Sequence, residues 1–244
     1  MGKDLPKVRR DSTSVFGFAG FDTTGLMMTH FVLEACKNPT VQARLHAECD
    51  AVFSQLTAQG REFSFQDLQS LRFLSRCITE TLRLWPSVPN GTFREVEFDD
   101  VIKGRDGKLV PLPKGTNLSI PVWLAHVNPE FWGPDVEQFN PDREFLPEEV
   151  WQGHAFAYWN PSSYRYMPFT AGPRDCIGKV FAQMEARVIL YNLFLRYEFA
   201  LAEPTLSRVA QHGGRKREPR SFLSANNGTM APKGGLWVTA RPRR

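Results

Sequence analysis

Hydrophobic positions along the chain fall into two regimes. Up to Trp85 they recur at helical spacing, and three helices are expected. Asp11 or Ser12 caps the first, which runs to about Lys37 and stops at Asn38-Pro39. Val41, Leu45, Cys49, Val52, Phe53 and Leu56 share one stripe of the second, which Gly60 breaks. Ser64 precedes Asp67 and a third helical stretch, where Leu74, Ile78, Leu82 and Trp85 line one face before Pro86. From Gly91 the spacing changes. Thr92 to Phe98 alternates weakly, Gly104-Arg105-Asp106-Gly107 signals a hairpin turn, and Asn117 to Val122 is expected as a further strand. Residues 128–168, rich in proline and aromatics, keep no period and are expected as a long ordered meander of the functional kind. A last helix is expected from about Ile177 to Arg196, with short strands near Tyr197–Leu201 and Leu236–Ala240. The order predicts a mainly α fold with short β-strands (α+β), without the alternation of a doubly wound sheet.

At 244 residues and 42% apolar, the chain can bury a sizeable core. The net charge of +4 comes largely from Arg215, Lys216, Arg217, Arg220, Arg241, Arg243 and Arg244. No aromatics interleave with them, so they are expected as solvated surface, with no nucleic-acid partner. Cys36, Cys49, Cys77 and Cys176 contain no C-x-x-C pair, which argues against a disulfide framework or a Cys-rich zinc site and for a reducing compartment. The polar N-terminus lacks a signal-peptide core. Ser14 to Thr29 is apolar but carries Asp22 and three glycines, which predicts a buried helix and not a membrane span. No H-E-x-x-H, P-loop or G-x-S-x-G motif occurs, so zinc-hydrolase, P-loop and serine-hydrolase chemistry find no footing.

Three segments could carry chemistry. Phe169-Thr-Ala-Gly172-Pro-Arg174-Asp-Cys176-Ile-Gly178 leads into the last helix, and a sulfur at a helix start, near unpaired N–H groups, suits an anionic ligand role. Gly172 and Gly178 leave room for a flat or bulky group near the backbone, and Arg174 offers a fork for a carboxylate. Ala19-Gly20-Phe21-Asp22-Thr23-Thr24 places an acid and hydroxyls among glycines in the centre of an apolar helix. Either something packs closely there, or the helix opens locally, or Thr23 and Thr24 simply bond back to carbonyls. Glu80-Thr-Leu-Arg83 is an i,i+3 acid–base pair with apolar neighbours; if buried it needs further partners, and Arg143 of Phe139-Asn-Pro141-Asp-Arg143 is a candidate third member.

In this order the segments closely resemble the cytochrome P-450 family of haem-thiolate monooxygenases. The cysteine loop matches F-x-x-G-x-R-x-C-x-G at every fixed position. Ala19 to Thr24 matches A-G-x-D-T-T, Glu80 and Arg83 match E-x-x-R, Phe139 to Arg143 matches F-x-P-x-R, and Trp132-Gly133 matches the preceding W-G. The resemblance implies heme b (iron protoporphyrin IX) with Cys176 as iron ligand, Phe169 and Gly172 beside it, and Arg174 and Arg94 on the propionates. It implies Asp22 and Thr23 on the oxygen-binding side as proton-delivering residues, and Glu80, Arg83 and Arg143 as a structural ion network. It further implies dioxygen, a small lipophilic substrate such as a fatty acid, and an electron-donating flavoprotein or ferredoxin. The chain is expected as a single partial domain over 1–244, the C-terminal half of a catalytic domain, and is expected to be inactive in that form. Membrane contact, at the cytoplasmic face of the endoplasmic reticulum, would then run through the missing N-terminal part. Two other readings stay open: a non-catalytic haem-binding fragment, and a haem-thiolate enzyme that rearranges or dehydrates peroxides.

Overall fold

The computed structural model describes residues 5–151, 163–211, 229–232 and 234–243. Helix α1 (Leu5–Lys37) leads, followed by α2 (Pro39–Ala58), a 3₁₀ turn (Phe65–Ser70) and α3 (Arg72–Leu84). Strands β1 (Thr92–Glu95), β2 (Asp100–Lys103), β3 (Leu109–Leu112) and β4 (Asn117–Ile120) come next, then the short helices α4 (Val122–His126) and α5 (Pro129–Trp132). Helix α6 (Lys179–Arg196), β5 (Tyr197–Leu201), α7 (Thr205–Gln211) and β6 (Val238–Pro242) complete the described elements. The fold is mainly α with short strands, as expected.

The first helix begins earlier than its expected cap at Asp11 or Ser12. Hydroxyls in that region do not stop it, because Thr13 and Ser14 donate back to the carbonyls of Arg9 and Arg10 at 2.9 and 3.0 Å. Its two halves differ. Met27, Phe31, Val32, Leu33 and Ala35 are buried, whereas Val15, Phe16, Phe18 and Phe21 are exposed. The burial expected over Ser14 to Thr29 therefore holds for its second part, where α3, α6 and β5 pack against α1. No described helix is long and apolar enough to cross a membrane.

The second helix starts on Pro39, whose missing N–H is no loss at a first turn, and Gly60 ends it at φ +63°. Val41, Leu45, Cys49, Val52 and Leu56 form its buried stripe. Phe53, expected with them, is 37% exposed, since one residue past Val52 it is turned about 100° off the stripe. Before α3, Ser64 donates both its N–H and its hydroxyl to Asp67 Oδ2 at 2.8 Å. The Arg61 fork on Asp67 holds that carboxyl well below the usual range. Glu48 accepts from the Phe73 and Leu74 N–H groups and so caps α3 from a neighbouring helix.

Among the described residues, three two-stranded antiparallel sheets edge this helical body: β1 with β4, β2 with β3, and β5 with β6. The β2–β3 hairpin closes through the expected glycine turn, where Gly107 takes φ +80°. The strand expected over Thr92 to Phe98 ends at Glu95, and the last strand runs to Pro242. The expected meander holds α5 and a 3₁₀ turn (Pro147–Glu149) as its only regular pieces among the described residues. Arg215, Lys216, Arg217, Arg220 and Arg244 lie outside the described residues. Arg243 departs from the expected solvated role: it pairs with Asp50 at 2.8 Å and donates to the carbonyls of Phe194 and Leu195.

Candidate functional site

The most ordered chemistry lies around α3. Glu80 and Arg83 share one face of that helix and are fully buried, with Arg83 Nε and Nη2 on the two Glu80 oxygens at 2.7 and 2.8 Å. Arg143 Nε reaches Glu80 Oε1 at 3.3 Å, and the Asn140 N–H donates to the same oxygen at 3.0 Å. The three expected members therefore meet. A buried ion network persists only when its remaining donors are matched. Arg83 Nη1 donates to the His126 carbonyl at 2.8 Å, and Arg143 Nη1 to the Trp132 carbonyl at 2.8 Å.

Sequence reasoning missed a fourth member. Asp135 takes a fork from Arg143 at 2.9 and 3.1 Å, and that hydrogen bonding holds its carboxyl below the usual range. No local signal sets it apart from the other acids of this stretch. Also missed was the buried Glu149, gripped by Arg165 at 2.9 and 2.8 Å. The Trp132 ring links the two systems, with the guanidinium carbons of Arg83 and Arg165 at 5.2 and 4.4 Å from its centroid.

His126 carries this network toward the cysteine loop. Burial, and then the charge of Arg83, push its pKa down to about 3, so the imidazole is neutral. Its Nε2 accepts the Met167 N–H at 2.8 Å, and its ring stacks on Tyr166. Two residues beyond Met167 the loop begins at Phe169, which packs against the core. Thr170 and Gly172 take φ +60° and +83°, so the chain reverses and the Cys176 N–H donates to the Phe169 carbonyl at 3.0 Å. Gly172 is suited to that left-handed backbone because it has no Cβ. Cys176 is exposed and unpaired in a disulfide, as are its neighbours Arg174 and Ile177 exposed. The helix does not start at Ile177 as expected. It starts at Lys179 with Gly178 as cap, so Cys176 stands two residues ahead of the cap, and Asp175 pairs with Lys179 across that start.

Asp22 and Thr23 lie on α1, half-buried and directly after the exposed Phe21. Thr23 Oγ1 donates to the Ala19 carbonyl at 2.7 Å, the simplest of the three expectations for this stretch. Asp22 Oδ2 is buried, with no hydrogen-bond partner among the described residues. A Cβ placed on Gly17, Gly20 or Gly25 would meet no atom within 4 Å, so the close packing expected there is not made by described residues. Ser87 Oγ donates to the Thr23 carbonyl at 2.7 Å, which ties α1 to the turn after α3. Trp85 Nε1, donating to Glu34 at 3.0 Å, adds a second tie that the sequence did not announce. Arg94 is exposed on β1 and donates to the Phe93 carbonyl at 2.8 Å. Thus Glu80, Arg83 and Arg143 are brought into contact, while Cys176, Arg174, Arg94 and the Asp22–Thr23 pair occupy separate places around them.

A buried E-x-x-R network with its arginine partner is thus joined, through His126 and Met167, to the glycine-reversed loop that carries the exposed Cys176. The sequence model of the cytochrome P450 family matches residues 9–219, and the chain belongs to that family. Among curated relatives, a cytokinin hydroxylase of Arabidopsis thaliana is 36% identical over 232 residues, 95% of this chain and 38% of its own. The cytochrome P450 monooxygenase sphH of Aspergillus fumigatus is 32% identical over 95% of this chain and 38% of its own. Cytochrome P450 4c3 of Drosophila melanogaster is 32% identical over 96% of this chain, again 38% of its own. The chain thus spans under two fifths of the length of these relatives. Family membership implies a haem cofactor, and an exposed, unpaired cysteine sulfur fits as a donor to its iron.

Proposed function

We propose that the chain supplies the haem-holding and proton-delivering parts of a monooxygenase that inserts one atom of dioxygen into a C–H bond of a lipophilic substrate such as a fatty acid. The observation that carries this reading is Cys176, an exposed sulfur on a loop held by its own backbone bond to Phe169. Cys176 would ligate the iron of heme b, with Phe169 beside the sulfur and Gly172 keeping the loop reversed. Arg174 and Arg94, both exposed cations, would meet the propionates. When bound, thiolate-ligated haem supplies the electron push that favours O–O cleavage.

The chain's own residues do the rest. Asp22 Oδ2, with no hydrogen-bond partner among the described residues, keeps its lone pairs open to a proton donor. Thr23 gives its hydroxyl hydrogen to Ala19, so its oxygen is presented as an acceptor that orients a proton donor. Glu80, Arg83 and Arg143 hold the segment whose end fixes Met167, and through it the loop. The balance needs two electrons from a flavoprotein or ferredoxin donor and two protons. One oxygen atom enters the substrate and the other leaves as water. The buried, unpartnered Asp22 oxygen favours this over peroxide rearrangement, which has no need of proton delivery. A non-catalytic haem-binding fragment is the second reading, favoured by the exposed Phe16, Phe18 and Phe21 next to Asp22.

To test the proposal, the chain is loaded with haem, reduced and exposed to CO. The red-shifted Soret band of thiolate ligation is expected, and Cys176→Ala is expected to lose it. A band without that shift, or one that survives the substitution, overturns the proposal. Thiolate-ligated haem that gives no product from any C–H substrate supports the second reading.

A further inference from the structure

Resting on that reading, the geometry points to Ser87 as a positioning residue for the Asp22–Thr23 pair. Ser87 follows Pro86, three residues beyond the end of α3, and is buried. Its backbone and its side chain face different partners. The Ser87 carbonyl accepts the Met230 N–H at 2.8 Å, while its hydroxyl donates to the Thr23 carbonyl at 2.7 Å. The same turn is anchored one step further on, where the Pro89 carbonyl accepts the Trp123 N–H at 3.1 Å.

A buried hydroxyl needs some partner, and a bland account would stop there. Two facts go beyond it. The Thr23 carbonyl already belongs to the helical repeat, which pairs it with the Met27 N–H, so α1 does not need the extra donor to satisfy its backbone. On either side of Thr23, Gly20 and Gly25 present no side chain, and a Cβ there would touch nothing within 4 Å. Thr24 and Met27 bury one face of this stretch, while the glycines leave its other side without side-chain contact. The Ser87 hydroxyl adds a directional tie at Thr23, which adjoins Asp22. Since α4 ends in His126, which holds Met167, the turn that fixes Thr23 is also tied to the element supporting the cysteine loop. Ser87 thereby sets the position of the proton-delivering pair relative to the loop, without touching the reacting atoms itself.

The test compares Ser87→Ala and Ser87→Thr with the unaltered chain by two readouts. The first is amide hydrogen exchange over residues 23–27, which needs no haem. One lost hydrogen bond of ordinary strength shifts an opening equilibrium about five-fold, so exchange is expected to rise by that factor in Ser87→Ala. Ser87→Thr keeps the hydroxyl and is expected to restore slow exchange. The second is the share of electrons released as hydrogen peroxide by the haem-loaded chain under a flavoprotein donor. That share is expected to rise several-fold in Ser87→Ala with KM nearly unchanged, and to recover in Ser87→Thr. Equal exchange in Ser87→Ala and the unaltered chain overturns the tether. Faster exchange with an unchanged peroxide share makes the bond merely structural and overturns the positioning role. If the unaltered chain fails to show thiolate-ligated haem, the proposed function fails first, and that is read from the spectrum before any Ser87 variant is compared.

Discussion

Glu80→Gln is the most searching perturbation of the buried network, because it keeps the shape and removes the charge. Glu80 accepts four hydrogen bonds, two from Arg83, one from Arg143 and one from the Asn140 N–H, and its side chain is wholly buried. In glutamine one oxygen becomes an NH₂ group, which faces at least one guanidinium donor whichever way the amide is turned. Two buried arginines then share one neutral acceptor. Arg143 keeps Asp135, but Arg83 keeps only the carbonyls of His126 and Gln138. Removing one partner from a buried pair costs about 3–5 kcal/mol. At about 2–4 °C per kcal/mol for a domain of this size, the melting temperature should fall by roughly 6–20 °C. Urea unfolding followed by circular dichroism measures the loss directly. Arg44→Ala serves as the comparison, since its pair with Asp142 is half-exposed on both sides and should contribute less than about 1 kcal/mol. If Glu80→Gln lies within 1 kcal/mol of the unaltered chain, the network is not the support described above.

Two further outcomes follow from single groups. His126 binds its proton only near pH 3 when folded and near 6.5 when unfolded, so the unfolded state takes up the extra proton between these values. Stability should therefore be full above pH 6.5 and decline as the pH falls toward 3, by at most about 1.4 kcal/mol per unit; denaturant midpoints that ignore this window in wild type, or that keep the same slope in His126→Gln, would contradict the assignment. Gly172→Ala meets no atom within 4 Å, so its penalty is the φ +83° backbone alone. It should cost about 1–2 kcal/mol and weaken haem retention on gel filtration; full retention would show that the loop reversal is not needed.

Much of the helical frame was legible because it rests on local periodicity. The α2 stripe and the α3 face came straight from spacing, and Pro39 and Gly60 mark the ends of α2 in the sequence itself. The Glu80–Arg83–Arg143 meeting was legible as well, since apolar neighbours signalled burial. Asp135 and Glu149 were not: each is one acid among several in an aperiodic stretch, and what singles it out is an arginine brought near by folding. The helix starts failed for a related reason. Ser12 and its neighbours are good caps in isolation, but their hydroxyls can equally bond to the carbonyls behind them, and nothing local decides between the two. Phe53 and Arg243 misled through averages of residue type, the first lying just off its stripe and the second clamped by Asp50 and two helical carbonyls.

The indole of Trp132 has a consequence beyond its own packing. Two cations belonging to separate ion systems share the attraction of one uncharged ring, and neither needs another carboxylate to stand that near its counterpart. A change that shifts the ring disturbs both systems together. Loosening of the two ion systems should then register as one cooperative event, visible in the emission of Trp132 once the other five tryptophans are replaced by phenylalanine.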